Sequence, residues 1–214
     1  MDTPTSSSER PIGGIGKRTF DVTVAVAAIF ILLPLLAVVA LVVMFTDRGP
    51  IFFSHRRIGF GGANFQCWKF RTMAVDGQRI LADHLASDPA AALEWAQTRK
   101  LRDDPRVTSI GRFLRASSLD ELPQLWNVAC GEMSLVGPRP IVDSEAPHYG
   151  RAIRFYLAVR PGLTGLWQVS GRSGTTYRRR VALDKAYVRH WSFAKDLAIL
   201  FKTIPAVLLA KGSW

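Results

Sequence analysis

The chain has 214 residues, 48% of them apolar, and its 28 basic and 17 acidic side chains give a formal net charge of +11. That size and apolar content exclude a disordered or mucin-like chain and suffice for one domain with a packed core. Two cysteines, Cys67 and Cys130, are too few for a disulfide framework and read as small buried side chains in a reducing compartment.

The charge is uneven. Residues 1–150 hold 16 basic and 15 acidic side chains, whereas residues 151–214 hold 12 basic ones against only Asp184 and Asp196. A surface of that kind suits phosphate, whether in nucleic acid, in an anionic lipid leaflet or in a phosphorylated substrate.

Residues 1–16, rich in Ser, Thr, Pro and Gly, read as a flexible tail. Residues 22–45 are 24 consecutive residues without a charge. As a helix they span about 36 Å, enough for a bilayer core of roughly 30 Å. The run is longer than the apolar core of a signal peptide, and no small-residue cleavage site follows it. Pro34 stands near its midpoint and predicts a kink. Lys17 and Arg18 precede the run while Arg48, Arg56 and Arg57 follow it, so the positive-inside rule gives no direction. Two readings stay open on these grounds: a kinked transmembrane helix, and a segment that enters and leaves on the same side.

Beyond a turn at residues 46–50, strands over 51–58 and 65–73 predict a hairpin around the glycine-rich stretch 59–64. The period of two places Lys69 and Arg71 on one face of the second strand, with Phe70 and Thr72 on the other. Residues 77–100 follow a helical pattern broken near Asp88-Pro89. Residues 110–128 form a second helical region and 177–209 a third, with breaks near 190–192 and at Pro205. The four histidines, His55, His84, His148 and His190, show no metal-ligand spacing. Phosphate-loop, dinucleotide and zinc motifs are absent.

Adjacent Asp120 and Glu121 admit two readings. Ser118-Leu119-Asp120-Glu121 fits a capping box, and acids suit the first turn of a helix. Helical neighbours also point about 100° apart, so the two carboxylates can hold separate roles, one attacking and one holding a metal. Arg115 lies five residues before Asp120, and Arg139 is fixed between Pro138 and Pro140. The guanidinium fork suits phosphate, and rigid flanks reduce the entropy lost in ordering it. Cations for phosphate, a carboxylate to attack and another for magnesium make up a phosphoryl-transfer set.

These pieces, in order, resemble the bacterial sugar transferases, the monotopic phosphoglycosyl transferases. The matching segments are Lys17-Arg18 with Asp21 before a Pro-broken apolar helix, then Gly49-Pro50-Ile51-Phe52-Phe53 and Trp68-Lys69-Phe70-Arg71-Thr72-Met73. They continue with Asp104-Pro105-Arg106-Val107-Thr108, residues 117–126 (SSLDELPQLW), 133–140 (MSLVGPRP) and 161–172 (PGLTGLWQVSGR), and end with Trp191-Ser192 and Asp196-Leu197. Each segment is weak alone; the ordered set over about residues 17–212 is specific.

The resemblance implies an α+β fold: a mostly helical monotopic membrane protein with a Pro-kinked re-entrant helix over 17–48, turned back at Pro34. A catalytic domain over 49–214 would carry a small β-hairpin and C-terminal amphipathic helices at the interface, with Trp191 and Phe193 among their interfacial residues. The implied activity is transfer of a sugar 1-phosphate, galactose or glucose in the exopolysaccharide-initiating members, from a UDP-sugar to undecaprenyl phosphate. Asp120 is implied as the nucleophile that forms an aspartyl-phosphosugar and releases UMP, and Glu121 as the ligand of Mg2+, or of Mn2+ in its place. Arg115, Arg139 and Lys69 are implied in substrate binding. The implied location is the cytoplasmic face of the bacterial inner membrane, with anionic lipids as partners, no nucleic acid, and self-association left open. A membrane-tethered basic nucleic-acid-binding protein is the competing class. It would leave Asp120, Glu121 and Arg139 idle, and no groove-reading module is recognised in the chain.

Overall fold

A computed structural model describes residues 10–171 and 176–208. Helix α1 (Gly14–Thr46) begins three residues earlier than Lys17 and continues through Pro34 without a break. Lys17, Asp21 and Ala25 are buried before the proline, and Val39 and Val43 after it. This spacing draws one stripe along the helix. Ile29 and Leu32 pack on one core cluster and Leu36 and Ala40 on another. Contacts on both sides of Pro34 therefore support the helix where one hydrogen bond is lost. The opposite face is bare: Phe30, Ile31 and Phe45 are 71%, 76% and 79% exposed. Among the described residues α1 is the one helix long and apolar enough to cross a membrane.

Strands β1 (Phe52–Ile58) and β2 (Asn64–Phe70) form the expected antiparallel hairpin, with Phe53 opposite Lys69. Strand β2 ends at Phe70, so Arg71 and Thr72 lie beyond the ladder. Helices α2 (Gly77–Ser87) and α3 (Pro89–Thr98) meet at Asp88, whose carboxylate accepts from the Ala90 and Ala91 amides while Pro89 opens α3. This is the predicted break and its mechanism.

The region expected as one helix is divided. Helix α4 (Ser109–Ser117) stops at Ser118, which adopts φ 58°. A 3-10 turn at Leu119–Glu121 follows, then α5 (Gln124–Cys130). Strand β3 (Ser134–Val136) pairs in parallel with β4 (Gly162–Thr164), with a 3-10 segment (Asp143–Ala152) and α6 (Ile153–Leu157) between them. Helix α7 (Tyr177–Arg189) leads to α8 (Phe193–Leu208), which passes through Pro205, so the break predicted there is absent.

The main core joins α1, α5, β3, α7 and α8 through Ala25, Leu125, Val128, Leu135, Val136, Tyr187 and Ile199. A buried polar cluster ties the same elements together. The Lys17 ammonium donates to Asp196 at 2.6 Å; Asp196 also accepts from the Tyr187 hydroxyl at 2.7 Å and the Trp191 indole at 3.0 Å. Asp21 accepts from the Ser134 hydroxyl at 2.7 Å and the Leu135 amide at 3.2 Å. Trp191 is half-buried and donates its indole N–H to a carboxylate, while Phe193 stays 40% exposed.

Both ends of α1 are fastened to this body. Near the start, Arg18 donates to the Val128 and Ala129 carbonyls at 2.6 and 2.8 Å, neutralising the C-terminal end of α5. At the other end, Arg71 donates to the carbonyls of Val43 and Asp47 and lies 3.7 Å from the Asp47 carboxylate. Cys67 is buried as expected, and burial pushes its thiol up to about 11. Cys130 is exposed, because it falls off the buried Leu125–Val128 stripe at the last residue of α5.

Candidate active site

Two close approaches build the site. A Cβ on Gly111 would stand 2.0 Å from the Thr72 carbonyl oxygen, so glycine alone lets α4 dock against the segment after β2. That docking brings the Arg115 Nε to 2.9 Å from the Thr72 hydroxyl. On the other side, a Cβ on Gly162 would meet the Gly137 nitrogen at 2.1 Å. The two loops can nest only with glycine there, and their nesting presents Arg139 beside Trp167, 6.0 Å from its ring centre.

The fully buried Asn127 fixes the third approach. Its side-chain oxygen accepts from the Trp68 amide at 3.1 Å and its amide donates to the Gln66 carbonyl at 2.7 Å. This clamps the free edge of β2 to α5, just where Lys69 leaves the strand. The Lys69 Nζ then reaches Glu121 Oε1 at 2.6 Å and Asp120 Oδ2 at 3.6 Å.

Of the predicted site residues, Lys69, Asp120 and Glu121 share one cluster, Arg115 adjoins it through Thr72, and Arg139 borders it. Arg71, on the same face as Lys69 by period, goes instead to the end of α1. The Ser118 side chain caps no helix end; its left-handed backbone closes α4 through its own amide, which donates to the Arg115 carbonyl at 3.1 Å. The capping-box reading of Glu121 therefore gives way. Asp120 and Glu121 also do not diverge as expected, since both reach the one ammonium from their 3-10 turn.

Burial raises the Asp120 pKa above the ordinary aspartate value; Lys69 opposes the shift, neighbouring Glu121 adds to it and Arg115 opposes it. Burial alone would raise Glu121 too, but Lys69, then Arg139 and Arg57, outweigh it and hold Glu121 below the usual value. Burial likewise disfavours the Lys69 charge, yet Glu121 and Asp120 prevail and keep its pKa above normal. Two adjacent carboxyls with pKa values pushed in opposite directions are a recurring arrangement at reactive sites. Asp120 is 7% exposed, and its 3.6 Å contact to Lys69 is too long for a hydrogen bond. Its oxygens are thus poorly solvated and weakly held. Arg139 makes no ion pair among the described residues.

A metal caged wholly by protein does not fit: no group of three His, Cys, Asp or Glu side chains comes together among the described residues. Magnesium shared between one carboxylate and substrate phosphates does fit, since that ion is commonly held by one or two carboxylates and phosphate oxygens. Glu121 offers that carboxylate, with Lys69 holding one of its oxygens. Sequence reasoning missed Arg57, whose guanidinium donates to the Pro140 carbonyl at 3.3 Å and lies 3.6 Å from Glu145. It also placed Thr72 on the far face from Lys69, and no periodicity shows that Thr72 orients Arg115.

The family model described as "Bacterial sugar transferase" matches residues 12–210. The chain belongs to the bacterial sugar transferase family. Membership makes it a phosphoglycosyl transferase. The chain is 57% identical over 205 residues to an exopolysaccharide production protein, ExoY, of Sinorhizobium fredii, covering 96% of this chain and 91% of that one. It is 48% identical to a UDP-galactose-lipid carrier transferase of Erwinia amylovora, with 92% of this chain matched but 41% of the relative. It is 41% identical to a UDP-glucose:undecaprenyl-phosphate glucose-1-phosphate transferase of Caulobacter vibrioides, over 92% of this chain and 72% of the relative. In this sugar transferase, the cluster of Lys69, Asp120 and Glu121 is built within the matched segment.

Proposed function

We propose that this enzyme transfers a hexose 1-phosphate, galactose or glucose, from a UDP-sugar to undecaprenyl phosphate, and so begins an exopolysaccharide or other surface glycoconjugate. The observation that carries this reading is the buried, weakly held Asp120 carboxylate, faced by Lys69 at 3.6 Å and bordered by Arg115 and by Arg139, which has no ion pair among the described residues. A poorly solvated carboxylate is a stronger nucleophile, and fixed cations offset its repulsion from a diphosphate.

In the first half-reaction an Asp120 oxygen forms a bond to the sugar-bearing phosphorus while the bond from that phosphorus to the bridging oxygen breaks, and UMP departs with the electron pair. In the second, an oxygen of undecaprenyl phosphate attacks the same phosphorus and the Asp120 carboxylate leaves. The product is a diphosphate joining lipid and sugar. Lys69 and Arg115 orient the nucleophile and its phosphate, and Arg139 receives the charge gained by the departing nucleotide. Glu121, kept ionised by Lys69, would hold Mg2+, or Mn2+, which supplies further charge neutralisation to the diphosphate.

The fastening of α1 supports a re-entrant arrangement. A straight span would place its two ends on opposite sides of the bilayer, yet Arg18 and Arg71 tie both ends to one body. The exposed apolar stripe around Phe30, Ile31 and Phe45 suits lipid. The body then lies on the cytoplasmic face of the inner membrane, where UDP-sugars are present, with the basic C-terminal third against anionic lipid.

Incubating the full chain with radiolabelled UDP-galactose or UDP-glucose, without acceptor, tests the chemistry. One equivalent of UMP should be released and a phosphosugar should map to Asp120 by mass spectrometry. An active preparation that turns over with acceptor but never carries the label on Asp120 overturns the mechanism.

A further inference from the structure

Buried polar atoms without partners are uncommon in folded proteins, because each forfeits its hydration without a replacement. Among the described residues there are five such side-chain atoms: Arg71 Nη1, Trp167 Nε1, Gln168 Oε1, Tyr177 OH and Arg180 Nε. The first belongs to the end of α1. The other four share one place. The Arg180 guanidinium lies 4.4 Å from the Trp167 ring centre and 4.9 Å from that of Tyr177, and Gln168 adjoins Trp167. Trp167 is 7% exposed.

The cluster begins where the phosphate site ends. Arg139 lies 6.0 Å from the centre of the same Trp167 ring, and its charge is felt by Glu121. A nucleoside diphosphate sugar with its sugar phosphate at Asp120 therefore extends its nucleoside past Arg139 toward Trp167.

The orphaned atoms have a definite polarity. Trp167 Nε1 and Arg180 Nε donate. Gln168 Oε1 accepts, because the amide nitrogen of that side chain is already committed to the Leu163 carbonyl at 3.2 Å. Uracil presents the complementary edge, acceptor, donor, acceptor, at O4, N3–H and O2. Cytosine lacks the N3 hydrogen and reverses the group at C4. A flat base also stacks favourably on indole, phenol and guanidinium planes. Glu145 lies 3.7 Å from Arg180 and holds that guanidinium beside the two rings.

We propose that Trp167, Gln168, Tyr177 and Arg180 form the subsite that reads the pyrimidine base of the donor, selecting uracil over cytosine; this rests on the donor chemistry proposed for Asp120. Trp167 and Arg180 donate to the two carbonyls, Gln168 accepts from N3–H, and the Tyr177 hydroxyl meets the ribose.

The test uses the full chain in nanodiscs containing undecaprenyl phosphate. Trp167→Phe and Gln168→Met should each raise KM for the UDP-sugar about tenfold, the loss of roughly one hydrogen bond, with kcat within twofold. The inhibition constant of UMP, which carries no sugar, should rise in parallel, and the preference for UMP over CMP as inhibitor should fall. A raised KM with unchanged UMP inhibition would move the subsite to the hexose and overturn the proposal, as would no change in either. If a variant melts early, photolabelling of wild type with 5-azido-UMP decides: label within residues 161–180 supports the subsite, and label elsewhere sinks it. A wild type that binds UMP there yet turns over no UDP-sugar would instead defeat the reading of Asp120.

Discussion

Two clusters in this protein pair one lysine with two acids, and they are built to opposite ends. Lys17 meets Asp196 at 2.6 Å and Asp21 at 4.0 Å; Lys69 meets Glu121 at 2.6 Å and Asp120 at 3.6 Å. Around Lys17 the carboxylates are further satisfied by a serine, a tyrosine, a tryptophan and a backbone amide, all inside the core. Among the described residues, one carboxylate around Lys69 accepts no short hydrogen bond, and the neighbouring Arg139 has no acid of its own. The saturated cluster holds elements in place. The unsaturated one retains capacity for a substrate. Equal charge stoichiometry therefore says little; hydrogen-bond saturation separates the two.

That contrast can be broken by substitution. Asp120→Asn should have the largest effect, lowering turnover by about 10⁴-fold or more, as loss of a covalent nucleophile does. The variant should stay folded, which thermal melting would verify; a residual rate near wild type would remove the distinction between the clusters. Lys17→Met should act in the reverse sense, costing about 3–5 kcal/mol of stability by leaving buried carboxylates without their cation. Its activity should disappear only as the fold does. Lys69→Met should lower kcat about 100-fold, the scale of one lost electrostatic contact in a reacting site, at temperatures where melting curves show the variant still folded.

The smallest effect concerns pH. Because burial raises the Asp120 pKa in the folded state, the folded protein binds that proton more tightly than the unfolded chain does. Its contribution to stability is present at low pH and is lost as pH rises through the raised value. Asp120→Asn should accordingly melt slightly above wild type at neutral pH, with the gap closing below about pH 4. Melting curves across that range measure it, and a gap independent of pH would contradict the burial of Asp120.

Local chemistry made much of the architecture readable in advance. The hairpin follows from its period and turn, and the break between α2 and α3 from Asp88 capping and Pro89. What the chain alone did not reveal depends on tertiary contact. Lys69 and Arg71 look equivalent by spacing, yet the strand stops between them and sends one to the acids and the other to α1. Ser118 has the composition of a capping box, but a left-handed turn there takes its side chain away from the helix start. Pro205 should break its helix by local rules, yet α8 passes through it. In the site, the acids stood out as a pair, while Thr72, Arg57 and Trp167 became visible only when Gly111 and Gly162 brought distant loops together.

The attachment of α1 at both ends has a consequence for how such units can be combined. A helix whose ends are tied by Arg18 and Arg71 to residues of its own body carries its mode of attachment with it. Its orientation does not depend on what is joined to it in sequence. Such a unit can be fused behind unrelated segments without redesigning its anchorage. In the Erwinia amylovora relative the matched portion is 41% of the protein.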